Sequence, residues 1–261
     1  MKNELKSRII LGLFGATLIT LAIFVSRITF FILIVAIFAL ASIEIIKLLG
    51  LNNKEIVLFI LTAALICILM IYFFPEGRFI SFNLIIIPVL IWILSIALII
   101  FLPADNKKLT FPFYALYLWI PFIFLFFIRR DFDAIRIFIL FLTVWSLDSF
   151  SYLFGKIFGQ KKIAPNISPN KTVEGTLFGL VLSFAIFVLL NNYLIGFAYK
   201  TLILGFLLPI SGFLGDLFES FLKRRENLKD SGSLLQAHGG ILDRFDSLFF
   251  ATIAFYLFLL I

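Results

Sequence analysis

The chain has 261 residues, is 62% hydrophobic with mean hydropathy +1.15, and carries only 14% charged residues. These values exclude an ordinary soluble domain, in which about a quarter of residues are charged. The net charge of +7 is scattered over short connections with no continuous basic face, which excludes a nucleic-acid-binding surface. The single cysteine, Cys67, lies inside an apolar segment and can form no intrachain disulfide.

A helix that crosses a bilayer needs about 20 mainly apolar residues. Such stretches recur at 9–26, 28–49, 56–74, 80–102, 111–128, 133–154, 175–191, 197–222 and 242–261, which predicts an all-α polytopic membrane protein with about nine spans. The first follows a basic start (Lys2, Lys6, Arg8), but no small-x-small cleavage site comes after it and Arg27 leads straight into the second stretch. It therefore reads as a membrane span and not as a cleaved signal peptide. Almost nothing separates these first two stretches. The eighth is long and holds Pro209, Gly212 and Gly215, which permit a kink or a close helix approach. With no internal repeat or low-complexity tail, the chain reads as one transmembrane domain over residues 1–261.

Orientation follows from the basic residues in the connections. Of the 22 Lys and Arg residues, 16 fall in alternate connections that include the N-terminus, and 6 in the others (Arg27, Arg78, Arg129, Arg130, Arg136, Lys200). This split predicts a cytoplasmic N-terminus and puts both longer polar loops, 155–174 and 223–241, on the cytoplasmic side.

Ionisable residues at membrane depth are expensive and mark function by default. Here they are Glu44, Asp148, Asp216, Glu219, Asp243 and Asp246. Glu44, one helical turn from Lys47, reads as a group that pairs with it or snorkels to the interface. Asp216, Glu219, Ser220 and Lys223 stand at i, i+3, i+4 and i+7, on one helix face. Asp243 and Asp246 repeat the i, i+3 spacing at the start of the last span, and Asp148 precedes Ser151 and Tyr152 at i+3 and i+4. At 1.5 Å per residue, Asp216 lies roughly 10 Å below Lys223, about where headgroups meet acyl chains. Carboxylates sharing a low-dielectric cavity need compensation, either from Lys223, Arg224, Lys229 and Arg244 or from a divalent cation such as Mg²⁺. An ion-pair network that only fastens two helices is the competing explanation, and it needs no Gly-containing polar loop beside it.

The loop from Gly155 to Thr176 reads GKIFGQKKIAPNISPNKTVEGT. Its lysines, hydroxyls and glycines are groups that hold a triphosphate through charge and backbone N–H donors, although the P-loop order is absent. Ser168, Asn170 or Thr172 is positioned to cap the following helix, with Glu174 in its first turn. The second loop, from Glu219 to Ser247, holds His238, the chain's one histidine, followed by Gly239 and Gly240. A lone histidine with no cysteine nearby makes no zinc site. It serves as a backbone tether, a phosphate contact or a proton shuttle.

The order Ser220, Lys223, Arg224, Lys229, Asp230, Gly232, His238, Gly239, Gly240, Asp243, Arg244, Asp246 resembles the signature of the phosphatidate cytidylyltransferases, or CDP-diacylglycerol synthases. The segments WSLDSFSYLFGKIFG and SPNKTVEG are similar to other blocks of that family, so the resemblance covers about residues 143–261, which becomes the expected catalytic half. One departure is Gln236–Ala237, where the family usually has Pro-Gly or Pro before His-Gly-Gly.

The resemblance implies Mg²⁺-dependent transfer of a cytidylyl group from CTP to phosphatidic acid, giving CDP-diacylglycerol and pyrophosphate, in a prokaryotic inner membrane with the site facing the cytoplasm. On that reading Asp216, Asp243 and Asp246 bind metal, with room for a second cation, and Ser220 lies close by. Lys223 and Arg224 neutralise phosphates, and Lys171, with Ser168, Asn170 and Thr172, holds the triphosphate. Lys229, Asp230, His238 and Arg244 contact substrate, and Asp148 and Glu174 orient other groups. A phosphate monoester is already ionised near neutrality, so no strong general base is needed. Two alternatives remain: a related membrane cytidylyltransferase or lipid kinase using another lipid, and an ion-coupled transporter with the carboxylates as its ion site. Small residues on several spans permit a homodimer.

Overall fold

The computed structural model describes residues 2–73, 82–103, 107–196, 198–228, 232 and 240–260. Each apolar stretch falls on one helix: α1 (Lys2–Val25), α2 (Arg27–Leu49), α3 (Asn53–Phe73), α4 (Phe82–Phe101), α5 (Lys107–Asp131), α6 (Ala134–Phe158), α7 (Val173–Leu194), α8 (Tyr199–Arg225) and α9 (Leu242–Leu259). Between α6 and α7 lies a two-stranded antiparallel hairpin, β1 (Lys162–Ala164) and β2 (Ser168–Thr172). Among the described residues, α2, α6, α7, α8 and residues 110–131 of α5 are long and apolar enough to cross a membrane. Large apolar side chains such as Leu21, Ile28, Ile32, Leu90, Leu94, Val181 and Phe206 stand exposed on the helices. That density of outward apolar surface suits lipid and not water.

The boundary between the first two helices is a single residue. Ser26 is extended (φ −163°, ψ 167°); its hydroxyl accepts the Thr29 N–H at 3.0 Å, and Thr29 Oγ1 accepts the Ser26 N–H at 3.0 Å. This reciprocal capping box ends α1 and starts α2 without any loop. Gly50 then closes α2 in the left-handed region (φ 58°), a conformation glycine adopts without penalty.

The chain forms two compact units, Met1–Ala134 with Leu228–Asp243, and Ile135–Asn227 with Arg244–Ile261. In the first, α5 packs against α2, α3 and α4, and α1 packs on α2. Trp92 stacks on Tyr117 and donates its indole N–H to the Tyr117 carbonyl at 3.1 Å, so its polar edge is satisfied within an apolar core. Arg129 donates to the Ile23 carbonyl.

Glu44 departs from the sequence expectation. It does not reach toward the interface: it is fully buried, and its two carboxylate oxygens accept the N–H groups of Ile241 at 2.8 Å and Leu242 at 2.9 Å. Lys47 stays within electrostatic range, but the backbone donors at the start of α9 satisfy the charge. Such unpaired N–H groups and the helix dipole attract a carboxylate.

In the second unit α7 packs on α8, and β2 packs on both. The glycines inside α8 produce a close approach. A Cβ at Gly212 would meet Leu147 of α6 at 3.1 Å, and one at Gly215 would meet the Asp246 carbonyl oxygen at 2.5 Å. Gly215→Ala is therefore expected to destabilise the protein by about 1–3 kcal/mol, outweighing the gain of about 1 kcal/mol in helix propensity. Thermal unfolding in detergent checks this: an unchanged midpoint would mean that the α8–α9 contact can spread at no cost.

Candidate active site

The site is built within the second unit. The 155–174 segment, expected as a polar loop, is a folded hairpin. Lys162 pairs with Thr172 and Ala164 with Ser168, and the Val173 N–H donates to the Lys161 carbonyl at 2.8 Å. Of the three residues placed to cap α7, Thr172 does so, its buried hydroxyl accepting the Gly175 N–H at 3.2 Å. Glu174 lies in the first turn as expected. Its carboxylate reaches back to the N–H of Gln160 at 2.9 Å and of Lys161 at 3.2 Å, fixing the entry to the hairpin. A Cβ at Gly175 would come within 2.5 Å of Gly155 Cα and of the Ser151 carbonyl oxygen, so the start of α7 meets the backbone of α6 directly and position 175 needs glycine.

This hairpin is tied to α8 at two points. Lys171 forms an ion pair with Asp216, both half-buried, and its ammonium lies 5.5 Å from the centre of the Phe213 ring. Arg224 donates from Nε to the Ile167 carbonyl at 3.2 Å. Asn170 is exposed and Ser168 half-buried on the same strand.

Below the hairpin, α6, α8 and α9 bring their acids together. Asp148 Oδ1 accepts the Ser247 hydroxyl at 3.2 Å. Asp148 keeps an accessible surface, and the charges of Asp216, Lys171 and Arg244 act on it. Asp246 is buried; its carboxylate accepts the Ser247 N–H at 2.7 Å and feels Asp216, Glu219 and Asp148. Glu219, also buried, pairs with Lys223 one turn on, beside buried Ser220. Asp148, Asp216, Glu219 and Asp246 thus share one neighbourhood, faced by Lys171, Lys223 and Arg244.

Among the described residues, no three His, Cys, Asp or Glu side chains close around one metal-sized point. The donor chemistry nevertheless fits a hard cation: the acids are all carboxylates, and Asp216 and Asp246 sit close enough to repel each other. Lys171 supplies the positive charge beside Asp216. Asp243, grouped with these acids in the sequence reading, belongs to the first unit, where its Oδ2 accepts the Gly240 N–H at 2.7 Å and Glu44 lies within electrostatic range. Lys229, Asp230 and His238 lie outside the described residues.

Sequence reasoning missed Ser247 as the partner of Asp148, Phe213 under Lys171, and the Gly155–Gly175 contact. Only the last had a local signal, since glycine at a helix end beside another helix start marks close backbone approach.

Comparison with known proteins agrees with the motifs. A family model described as "Cytidylyltransferase family" matches residues 6–261. A phosphatidate cytidylyltransferase of Bacillus subtilis is 34% identical over 260 residues, which covers 95% of this chain and 94% of that protein. One from Helicobacter pylori is 39% identical over 152 residues, 58% of this chain and 56% of its own length. One from Staphylococcus saprophyticus is 48% identical over 116 residues, 42% of this chain and 43% of its own.

Proposed function

The chain belongs to the cytidylyltransferase family, and on that premise we propose that it transfers the cytidylyl group of CTP to phosphatidic acid in phospholipid biosynthesis. The observation that carries this reading is the Lys171–Asp216 ion pair, which joins a basic, hydroxyl-bearing hairpin to a membrane-helix face rich in carboxylates. A site for two phosphate-bearing substrates needs both signs of charge side by side.

In the reaction a phosphatidate phosphate oxygen attacks the α-phosphorus of CTP. The bond from that phosphorus to the bridging oxygen breaks, and pyrophosphate leaves. Lys171 holds the triphosphate with Ser168 and Asn170, while Thr172 and Glu174 keep the strand in place through their backbone contacts. Lys223 and Arg224, on the last turn of α8, neutralise phosphate charge at headgroup depth, with Ser220 one turn below. Asp148, fixed by Ser247, orients Lys171 and Arg244 by charge. Asp216 and Asp246, with Asp243 by the resemblance alone, are the residues that would hold Mg²⁺ and a second cation. Bound Mg²⁺ supplies charge neutralisation and polarisation of the phosphoryl oxygens. Lys229, Asp230 and His238 complete the substrate contacts.

The same reading sets the protein in the prokaryotic cell membrane with nine spans, its N-terminus and both polar segments on the cytoplasmic side, where CTP is available. Homodimerisation through small-residue helix faces belongs to it as well.

The test is an assay of purified protein with radiolabelled CTP and phosphatidic acid, with and without Mg²⁺. The expected result is labelled CDP-diacylglycerol and pyrophosphate in equal amounts, only with the cation present. Label that never enters lipid, or enters it equally well after chelation, would overturn the reading.

A further inference from the structure

A buried carboxylate in an apolar span persists only where something holds it, and what holds Glu44 lies far away in sequence. Its two oxygens take the N–H groups of Ile241 and Leu242, 197 and 198 residues on. Gly232 also lies against it: a Cβ there would sit 2.7 Å from Oε1, 2.8 Å from Cδ and 3.0 Å from Cγ. The carboxylate is pinned by its two hydrogen bonds and cannot swing aside cheaply, so position 232 must be glycine. Next to these contacts, Asp243 Oδ2 accepts the Gly240 N–H at 2.7 Å. All of these groups belong to the first unit.

We propose that Glu44 is a positioning residue for the catalytic signature: from α2 it holds Gly232 and the first turn of α9, and so sets the direction in which Asp243 presents its carboxylate. This rests on the assignment of Asp243 to metal binding. Glu44 touches no substrate on this view. Its hydrogen bonds fix the backbone from which Asp243 extends, as outer groups fix the ligands of metal sites. An acid that served only as a stabilising cap would leave metal affinity untouched.

Glu44→Gln is nearly isosteric, but its amide nitrogen cannot accept an N–H, so one of the two bonds is lost. Two readouts are needed, neither of which depends on turnover. Hydrogen exchange across residues 240–245 of the full-length purified protein is expected to quicken about ten-fold at Ile241 or Leu242, the value of one hydrogen bond. The Mg²⁺ concentration giving half-maximal thermal stabilisation is expected to rise about ten-fold. Gly232→Ala, which pushes on Oε1 from the other side, is expected to produce both changes as well. Unchanged exchange in both variants would overturn the clamp. Faster exchange with an unchanged Mg²⁺ midpoint would overturn the positioning role and leave only a helix cap. If the wild-type protein fails to label phosphatidic acid, the proposed reaction falls, while exchange and Mg²⁺ stabilisation still decide the role of Glu44.

Discussion

Replacing Asp216 by Asn is expected to lower kcat by about a thousand-fold or more, the scale at which one charge-stabilising element of a phosphoryl-transfer site acts. The substitution keeps shape and removes one charge. It also breaks the ion pair that joins α8 to the hairpin at Lys171, so the two halves of the charge arrangement fail together. Helix α8 should survive. Gly212 and Gly215 still pack against Leu147 and the backbone of Asp246 and Ser247, and the Arg224–Ile167 contact remains. Activity should therefore vanish while the unfolding midpoint moves by only a few degrees, with membrane insertion unchanged. Turnover above about a tenth of wild type at saturating Mg²⁺ would remove Asp216 from the metal-binding set.

The second large effect is expected at Lys171. Lys171→Met keeps most of the side-chain length and its contact with Phe213 while deleting the ammonium. Asp216 then loses its lysine partner, and the triphosphate loses one attracting charge. A fall of about a hundred-fold in kcat/KM for CTP is expected, with the KM for phosphatidic acid within about three-fold of wild type. Lys171→Arg, which keeps the charge but not the point geometry, should recover only part of the loss. Equal losses for both substrates would show that Lys171 supports the fold of the hairpin and does not select the nucleotide.

Much of this molecule is legible without coordinates. Hydropathy located the nine helices seen among the described residues, because a bilayer-length apolar run is a local property and leaves the backbone no other way to satisfy its N–H and C=O groups. The Asp216–Glu219–Ser220–Lys223 face follows from helical spacing alone, and Glu219 and Lys223 do pair along it. Residue type put Thr172 among three possible caps of α7 and allowed a kink or a close approach at Gly212 and Gly215, of which the close approach is found. The C-terminal signature pointed to the family that matches residues 6–261.

Which charges meet is a different kind of information. Nothing near Glu44 in sequence announces the start of α9, so its neighbour Lys47 was the natural partner to expect. The fold instead offered two N–H donors at a helix N-terminus, which satisfy a buried carboxylate better than a single mobile lysine. Likewise, Asp243 and Asp246 share a helical spacing but different surroundings, Asp243 beside Gly240 and Glu44, and Asp246 beside Asp216 and Glu219. The hairpin that delivers Lys171 to Asp216 reads in sequence as a polar loop, because two short strands held by a few hydrogen bonds leave too weak a local pattern. The sequence by itself determined the membrane class, the helices and the chemistry of the groups available. Tertiary structure alone decided their partners, because backbone approach at glycines and capping across long separations depend on packing that no local pattern encodes.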